Sequence, residues 1–331
     1  MSTDTALPSN KLISIICRSI GRPELKQTLA SVAKQSYPTL EIILVEASAE
    51  SLSDFQEFAG SVPVNFVSTG KKLSLSAAAN AGLDAVKGDC IMFLDDDDWI
   101  SEEHITNLVD ALNSHSDVKA VYSSTQKVSV DGKQTKEVFD QTFDSRLLMR
   151  DNFIPIHSML FESSLLKSGC RFDETFDIFE DWDFWLQLNQ HTNFFHISNL
   201  GAFYRAGGDS ETASEENSDR YLSSNLRGQG RANLFAKWLK IWTGEQLNSL
   251  LGFLDQTEQI IELNNEVQMS QSRVHESNQE LINLTSQIRE KDTRAHESNL
   301  ETIELNKKIG AISTREHELN LNLSKLTDQL R

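Results

Sequence analysis

A chain of 331 residues, 39% of them hydrophobic, is long enough for one large domain or two ordinary ones with a sizeable core. Its formal net charge of -18 at pH 7 excludes non-specific nucleic acid binding, because a duplex or an anionic membrane surface would repel the protein. Three widely spaced cysteines argue against a disulfide framework, and neither a signal-peptide pattern nor an apolar run of roughly 20 residues is present. We therefore predict a cytoplasmic protein without a transmembrane segment, which leaves open peripheral attachment at the inner face of a membrane.

Strand and helix patterns alternate from residue 11 to about residue 122, after a predicted N-terminal tail over 1–10. This alternation is typical of an α/β domain with a doubly wound sheet. The predicted strands are 12–17, 41–46, 64–68, 91–94 and 120–124. The predicted helices are 23–35, 74–86 and 102–114.

The next part of the chain has mixed patterns. Asp131-Gly132 lies between two segments compatible with strands, 127–130 and 135–139, and therefore predicts a β-hairpin. We interpret the stretch from there to about residue 205 as a second half of the domain that closes over the sheet edge and holds another substrate. Residues 207–250 are expected to form a flexible polar loop, over 207–220, and a helical extension.

The final part, residues 251–331, has a helical repeat. Steps of three and four residues from Phe253 to Leu330 reach mostly apolar side chains in one register, which predicts a long α-helical coiled coil of roughly 115 Å. Because the apolar stripe of a lone helix would stay in water, we expect self-association or a partner helix. Some positions of the stripe are polar, which weakens the coiled coil and favours a defined register: Ser270, Ser277, Lys291, Ser298, Thr302 and Glu316.

An Arg-x-His-Glu motif recurs every 21 residues within this segment, at 273–276, 294–297 and 315–318. A period of three heptads preserves the register of a coiled coil. The three histidines would lie about 31 Å apart along a helix, which is too far for them to share one metal ion. We therefore interpret them as solvated side chains.

The most informative stretch is the apolar run 91–94, which leads directly into Asp95, Asp96, Asp97 and Asp98. The run predicts a strand buried on both faces, whose polar end lies at the sheet edge where α/β proteins bind ligands. Four adjacent carboxylates repel one another unless a divalent cation takes oxygen ligands from them. The pattern favours a metal site for a phosphorylated ligand, and the alternative is that the acids cap a helix expected after Trp99.

Five short motifs occur in order over about three fifths of the chain. They are Ile13-Ser14-Ile15-Ile16 with Gly21-Arg22-Pro23-Glu24-Leu25, Ser36-Tyr37-Pro38 with Glu41-Ile42-Ile43-Leu44-Val45-Glu46, Ala78-Ala79-Asn80-Ala81-Gly82-Leu83, Gly88-Asp89 leading into Phe93-Leu94-Asp95-Asp96-Asp97-Asp98, and Glu180-Asp181-Trp182-Asp183-Phe184-Trp185. Together they resemble the catalytic domain of glycosyltransferase family 2. The resemblance implies a GT-A fold, a Rossmann-like mixed α/β sheet, over 11–206, and an enzyme that inverts configuration at the anomeric carbon of the transferred sugar.

The resemblance also implies roles for the acids. Asp97 would hold Mn²⁺ or Mg²⁺ against the diphosphate of the donor, and Asp95 would face the ribose or the metal. Asp96 is assigned to the nucleotide sugar, although a capping or supporting role is an equal alternative for Asp96 and Asp98. Asp181 would be the general base, unless it only stabilises the start of its helix.

Three further residues are placed near the acceptor or the diphosphate by the same resemblance. Glu180 would orient the acceptor. His157 would face the active site, unless it is a core histidine with satisfied hydrogen bonds. Arg205 would touch the diphosphate, and a structural ion pair is its alternative.

The expected nucleotide pocket departs from the common family pattern. Cys17-Arg18 stands where many members have Pro-Thr, and Glu46 stands where they have the first of two aspartates. Ala79 replaces an arginine often found before the asparagine, which leaves Lys71, Lys72 or Arg18 to meet phosphate charge. The residues expected to bind the nucleotide sugar are Cys17, Arg18, Glu46, Lys72, Asn80, Asp95 and Asp96.

We predict transfer of a sugar from a UDP- or dTDP-linked donor to a hydroxyl of a saccharide or glycoconjugate, in the assembly of cell-surface polysaccharide or glycoconjugate. The alternative is an inactive scaffold that binds nucleotide sugar and oligomerises or docks through its coiled coil. A dinucleotide-dependent oxidoreductase and a P-loop enzyme are disfavoured, because neither G-x-G-x-x-G nor G-x-x-x-x-G-K-[ST] is found.

Overall fold

The computed structural model describes residues 11–48, 50–207, 221, 222 and 224–329, with side chains to residue 318 and at residue 321. The chain divides into two compact units, residues 1–253 and residues 254–331. The predicted tail over 1–10 and all but the first residue of the predicted loop over 207–220 lie outside the described residues.

Strands of the first unit join into one mixed sheet. They are β1 (Ile13–Ser19), β2 (Leu40–Glu46), β3 (Val64–Ser68), β4 (Cys90–Phe93), β5 (Trp99–Ile100), β6 (Ala120–Val128), β7 (Gln134–Phe139), β8 (Met159–Glu162) and β9 (Phe194–Arg205). Across the described residues their order is β3-β2-β1-β4-β8-β6-β9-β5, with β7 paired to β6. The first four strands in this order are parallel, β8 is antiparallel to both of its neighbours, and β9 is parallel to β6 and antiparallel to β5.

Helices connect and cover the strands. They are α1 (Leu25–Ala33), α2 (Leu75–Ala85), α3 (His104–Ser114), α4 (Ser145–Arg150), α5 (Glu180–Asn189), α6 (Leu226–Trp238) and α7 (Gly244–Gln329). Short segments of 3-10 helix lie at Ser53–Ala59, Ile156–Ser158 and Ser163–Ser168. Among the described helices, none combines the length and the apolar composition needed to cross a lipid bilayer.

Two hydrophobic cores lie on opposite faces of the sheet, because successive side chains of a strand point to opposite sides. The first includes Ile15, Ile42, Met92, Leu29 of α1 and Leu108 of α3. The second includes Ile16, Ile43, Phe93, Leu83 of α2 and Trp185 of α5. Burial of each such side chain contributes roughly 1.5–3 kcal/mol to folding. Strands β1, β2 and β4 are buried along their whole length, and for β4 this confirms the prediction made from its continuous apolar run.

The structure corrects the surroundings of the acidic stretch. Trp99–Ile100 forms the short strand β5 against β9, so α3 begins only at His104. The first turn of α3 contains no acidic residue. The four aspartates therefore lie in a turn between β4 and β5, and the alternative that they cap the following helix is wrong.

The predicted hairpin is confirmed. Strands β6 and β7 pair antiparallel, and Gly132 in their connection has φ 79, a value that favours glycine. In the last part of this unit, α6 places Leu234 and Trp238 in the second core. Helix α7 is a single helix of 86 residues, and most of it belongs to the second unit.

Candidate active site

A cleft of about 870 Å³ opens where β1 and β4 end at their carboxyl termini. Parallel strands direct these ends to one edge of the sheet, which is the usual ligand site of an α/β domain. The cleft is lined by residues 18–20, 22, 73–75, 95–98, 152–157, 176–181, 204 and 205, and also by Ala47 and Phe139. The cleft thus lies between the acidic turn and the start of α5.

Asp95 and Asp96 are held by the segment that follows β1. Arg18 makes a two-point ion pair with Asp95, with Nε to Oδ1 and Nη2 to Oδ2 both at 2.8 Å. The buried Asp96 accepts hydrogen bonds from Ser19 Oγ at 2.6 Å and from the backbone N–H of Ile20 at 3.3 Å. These contacts fix the turn against β1 and favour the supporting alternative for Asp96, although the residue also lines the cleft.

Asp97 contacts Arg22 and is crowded by the other three aspartates of the turn. Its Oδ2 lies 3.1 Å from Nη1 of Arg22, which also contacts Asp96. Burial and repulsion from Asp98, Asp95 and Asp96 raise the pKa of Asp97 to about 7. The carboxylate lines the cleft, so a positively charged ligand could relieve this repulsion.

Asp98 connects the acidic turn to the far side of the cleft. Its Oδ1 accepts a hydrogen bond from the backbone N–H of Arg205 at 2.8 Å, and its Oδ2 lies 2.9 Å from Nδ1 of His157. His157 is fully buried in the turn Ile156–Ser158 and lines the cleft. Burial opposes protonation of His157, but the charge and hydrogen bond of Asp98, together with the charges of Asp95 and Asp97, outweigh it and raise the pKa of the imidazole.

Arg205 joins the acidic turn to the connection between β6 and β7. Its guanidinium donates to the carbonyl oxygens of Asp97 at 3.0 Å and Val130 at 2.7 Å, and to Gln27 Oε1 at 2.8 Å. It also lies over the ring of Trp99, with Cζ 4.9 Å from the ring centroid. These contacts hold Arg205 in place through neutral oxygen atoms and a ring, not through the ion pair that was its alternative, and the residue also lines the cleft.

Glu180 and Asp181 begin α5 on the opposite side of the cleft. Phe179, which precedes them, has φ 63, and no other non-glycine residue among those described has a positive φ. Such a backbone conformation costs roughly 1–3 kcal/mol and is found at functional sites, where the surrounding structure maintains it. It turns the chain sharply at the point where the two acids enter the cleft.

Asp181 is oriented by two donors. Asn152 Nδ2 donates to its Oδ2 at 2.8 Å, and the backbone N–H of Trp182 donates to its Oδ1 at 2.7 Å. Burial, and then repulsion by Glu180, raise the pKa of Asp181 to about 7, which is suited to proton transfer near neutral pH. Arg18 joins the two sides of the cleft, because its Nη1 lies 3.4 Å from Oε1 of Glu180.

The described side chains around the cleft offer few ligands for a metal ion. Among the described residues, no three His, Cys, Asp or Glu side chains converge on one metal position. Magnesium sites for phosphorylated substrates usually use only one or two carboxylates and take their other ligands from phosphate and water. Asp97 fits this chemistry, because its carboxylate lines the cleft and is crowded by negative charge.

Four residues predicted to bind the nucleotide do not line the cleft. Cys17 points into the first core, because it is two residues from Ile15 on the same face of β1. Glu46 accepts a hydrogen bond from the backbone N–H of Leu52 at 2.9 Å, which is the main cause of its lowered pKa. Lys72 is exposed outside the cleft, and Asn80 binds the backbone of Phe172.

Sequence reasoning also missed residues that build the site. Arg22 lies within a quoted motif, but the motif did not indicate that it would contact two aspartates. Asn152 and Phe179 carry no pattern of their own, since their importance comes from contact with Asp181 and from the turn before it. Tyr204 stacks near His157, with 6.2 Å between ring centroids, and the sequence analysis assigned it no role.

Comparison with known families gives an independent result. Residues 13–168 match the model described as Glycosyl transferase family 2. This stretch contains the acidic turn and His157, and it ends before Glu180 and Asp181. The resemblance based on short motifs is thus confirmed for the greater part of the sheet.

Individual proteins agree with this match. The chain is 29% identical to the uncharacterized glycosyltransferase YwdF of Bacillus subtilis (strain 168) over 181 residues, which cover 53% of this chain and 67% of YwdF. It is 24% identical to the amylovoran biosynthesis glycosyltransferase AmsB of Erwinia amylovora over 177 residues, which cover 49% of this chain and 58% of AmsB. The chain therefore spans less than two thirds of the length of AmsB.

A solved structure shows the same fold. The structure of S. aureus TarS 1-349 in complex with UDP-GlcNAc matches with a TM-score of 0.53 at 15% identity, over 69% of this chain and 71% of that chain. At this identity the likeness concerns the fold alone. The first unit is therefore a GT-A-like mixed α/β sheet, as the sequence predicted, and a long C-terminal helix follows it.

Proposed function

We propose that the chain is a glycosyltransferase of family 2, whose model matches residues 13–168, and that it transfers a sugar from a nucleotide-sugar donor to an acceptor hydroxyl with inversion at the anomeric carbon. The observation that carries this proposal is the placement of Asp181, a carboxylate of raised pKa, across one cleft from the acidic turn. A base and a site for a diphosphate are the two requirements of such a transfer.

The donor side of the cleft is assigned to the acidic turn and its arginines. Asp97 would hold Mn²⁺ or Mg²⁺, which when bound neutralises the charge that develops on the departing diphosphate. Arg22, which already contacts Asp97, would contribute a second positive charge there. The TarS complex with UDP-GlcNAc supports a UDP-linked donor, and a dTDP-linked sugar is the alternative.

The acceptor side is assigned to the start of α5. Asp181 removes the proton of the acceptor hydroxyl, and the resulting oxygen attacks the anomeric carbon from the side opposite the leaving group. The new carbon–oxygen bond forms as the bond to the diphosphate breaks, and the electron pair leaves with the diphosphate. Asn152 and the N–H of Trp182 hold the carboxylate in place, while Glu180, fixed by Arg18, orients the acceptor.

A second candidate function has one observation in its favour. Cys17, Glu46, Lys72 and Asn80 lie outside the cleft, so the expected nucleotide pocket lacks several of its predicted contacts. A protein that binds a nucleotide sugar without turning it over would tolerate such losses. This scaffold would retain donor binding and lack transfer.

One experiment separates the two. The full chain is incubated with a panel of UDP- and dTDP-sugars, with Mn²⁺ or EDTA, and release of nucleoside diphosphate and thermal stabilisation are both measured. An enzyme releases diphosphate with one donor, and Asp181→Asn abolishes release while stabilisation by that donor remains. Stabilisation without release in the unmodified chain supports the scaffold, and neither signal with any donor overturns both.

We further propose that the acceptor is a saccharide or glycoconjugate that becomes part of a cell-surface polymer. The transfer would take place in the cytoplasm, at the inner face of the membrane. The role of AmsB in amylovoran biosynthesis supports this assignment.

The second unit is proposed to form a coiled coil, either with a copy of itself or with a helix of another protein. Its support is the exposure of the apolar stripe, since Val267, Leu281 and Ile288 are all exposed.

A further inference from the structure

The charged residues beside the apolar stripe of α7 almost all lie on one side of it, a distribution that the stripe itself does not require. In heptad letters, with Ile260 at position a and Leu263 at position d, the residue before each a is a g position, and the residue after each d is an e position. Between Ile260 and Ile312 the g positions carry charges of both signs, at Glu266, Arg273, Glu280, Arg294, Glu301 and Lys308, and Arg315 is a further charged g position beyond them. The e positions from 257 to 313 are uncharged except for Asp292.

This distribution leaves the charges without partners in a parallel pair of identical helices. In a parallel coiled coil, each g residue meets the e residue five positions further along the partner chain. Here Arg273 would meet Asn278, Glu280 would meet Thr285, and the other charged g residues would also meet uncharged side chains. A parallel arrangement therefore gains no ion pair from these charges.

We propose that α7 packs against α7 of a second copy of this chain in antiparallel orientation, with the two Gln287 side chains side by side at the centre. In an antiparallel pair, g residues meet g residues, and this register pairs g residues whose numbers add up to 574. The a and d residues that face each other in the stripe then have numbers that add up to 572. Three of the contacts between g residues join opposite charges, and each occurs twice by symmetry: Glu266 with Lys308, Arg273 with Glu301, and Glu280 with Arg294. Arg315 faces the uncharged Gln259. The inference rests on the coiled coil proposed above and is independent of the glycosyltransferase assignment.

The same register matches the residues of the stripe. Apolar side chains face each other in four pairs, each of which occurs twice in the dimer: Ile260 with Ile312, Leu263 with Ile309, Val267 with Leu305, and Leu284 with Ile288. All of these side chains are exposed in the single chain. Polar or small side chains meet in further layers: Gln256 with Glu316, Ser270 with Thr302, and Ser277 with Ala295.

Other arrangements place like charges together. A parallel pair would stack Lys291 on Lys291 and Glu316 on Glu316 within the stripe. In the proposed register, Lys291 lies opposite Leu281, where its long stem can pack while its ammonium group reaches water. Antiparallel registers shifted by one heptad would bring together either Arg273 with Arg294, or Arg273 with Lys308. The charges thus specify both orientation and register.

Cysteine cross-linking of the full chain distinguishes the orientations. The native cysteines, Cys17, Cys90 and Cys170, are free and buried, so cysteines added on α7 would react under mild oxidation before them. We expect Gln287→Cys to form a disulfide-linked dimer. Ser270→Cys, a nearly isosteric control, should not link to itself, but should link to Thr302→Cys when the two variants are mixed.

A charge reversal tests the proposed pairs. Glu280→Arg would place two arginines together twice per dimer, and we expect self-association to weaken roughly tenfold by sedimentation. Adding Arg294→Glu should restore the association, because the pair is re-formed with its charges exchanged. In a parallel dimer neither change would matter, because the facing e residues are uncharged.

Each outcome has a definite meaning. Cross-linking of Gln287→Cys together with rescue by the double reversal supports the antiparallel register. Cross-linking of Ser270→Cys to itself, with none for Gln287→Cys, overturns the orientation and retains the coiled coil. A chain that stays monomeric in sedimentation at every concentration overturns the orientation and the self-associating coiled coil together, and leaves the activity of the first unit untouched.

Discussion

The two units of this chain use similar apolar residues with opposite results. Ile16 of β1 is 0% exposed in the second core, whereas Ile288 of α7 is 60% exposed. A strand in the sheet is covered on two faces by helices of the same chain, and the stripe of α7 has no such cover among the described residues. The comparison teaches that periodicity predicts a secondary structure, while burial depends on whether the chain supplies a second surface.

The largest expected effect is the loss of sugar transfer when Asp181, in the first unit, is replaced. Asp181→Asn removes the proposed base while keeping the shape and the contact with Asn152, so we expect kcat to fall by roughly 10²- to 10⁴-fold. Asp131→Asn, in the exposed hairpin, is the matched control and should leave kcat unchanged. Rates measured with the donor found in the panel decide the point, and an active Asp181→Asn variant would remove Asp181 from the mechanism.

The second prediction compares two isoleucines directly. Ile16→Ala should lower the free energy of unfolding by roughly 2–5 kcal/mol, because it leaves a cavity in a packed core. Ile288→Ala should not change the unfolding of the first unit, because its side chain is exposed. Urea titrations of both variants at low protein concentration provide the measurement. Equal losses of stability would contradict the contrast between the units.

The third prediction concerns pH. Since Asp181 must be ionised to accept a proton, kcat/KM should fall about tenfold per pH unit below its pKa of about 7. Stability should change in the opposite direction. The folded state binds a proton at Asp181 more tightly than the unfolded chain does, so this contribution is present at low pH and is lost as the pH rises through 7.

Rate and melting temperature measured from pH 5 to pH 9 give both halves of this test. The Asp181→Asn variant should lose the part of the stability change that comes from this residue. A rate that stays flat down to pH 5 would be incompatible with a base of raised pKa.

The smallest expected effect belongs to the second unit. Lys291→Leu replaces a charge in the stripe of α7 by an apolar side chain, so self-association should tighten several-fold. Sugar transfer should remain within about twofold, because Lys291 is far along the chain from every residue of the cleft. Sedimentation and rate assays on the same preparation separate these effects. A large loss of activity would show that the two units do not act independently.

Sequence alone predicted the elements that depend on short-range pattern. The apolar runs of β1, β2 and β4 and the amphipathic α1, α2 and α3 were located to within a few residues, because their side chains repeat with the period of a strand or a helix. The sequence also predicted that Asp95–Asp98 lie at the end of a strand and that Glu180-Asp181 lie at the start of a helix, since both are local features. The fold family followed from five motifs in order.

Only the tertiary structure decided what those residues contact. The pairing of β6 with β9, the short strand β5 that separates the acids from α3, and the burial of Arg18 between Asp95 and Glu180 each join segments distant in the chain. The same holds for Cys17 and Asn80, whose side chains face a core and a neighbouring loop. A residue's local pattern fixes the element in which it lies, whereas the direction of its side chain and its partners are set by how the elements pack.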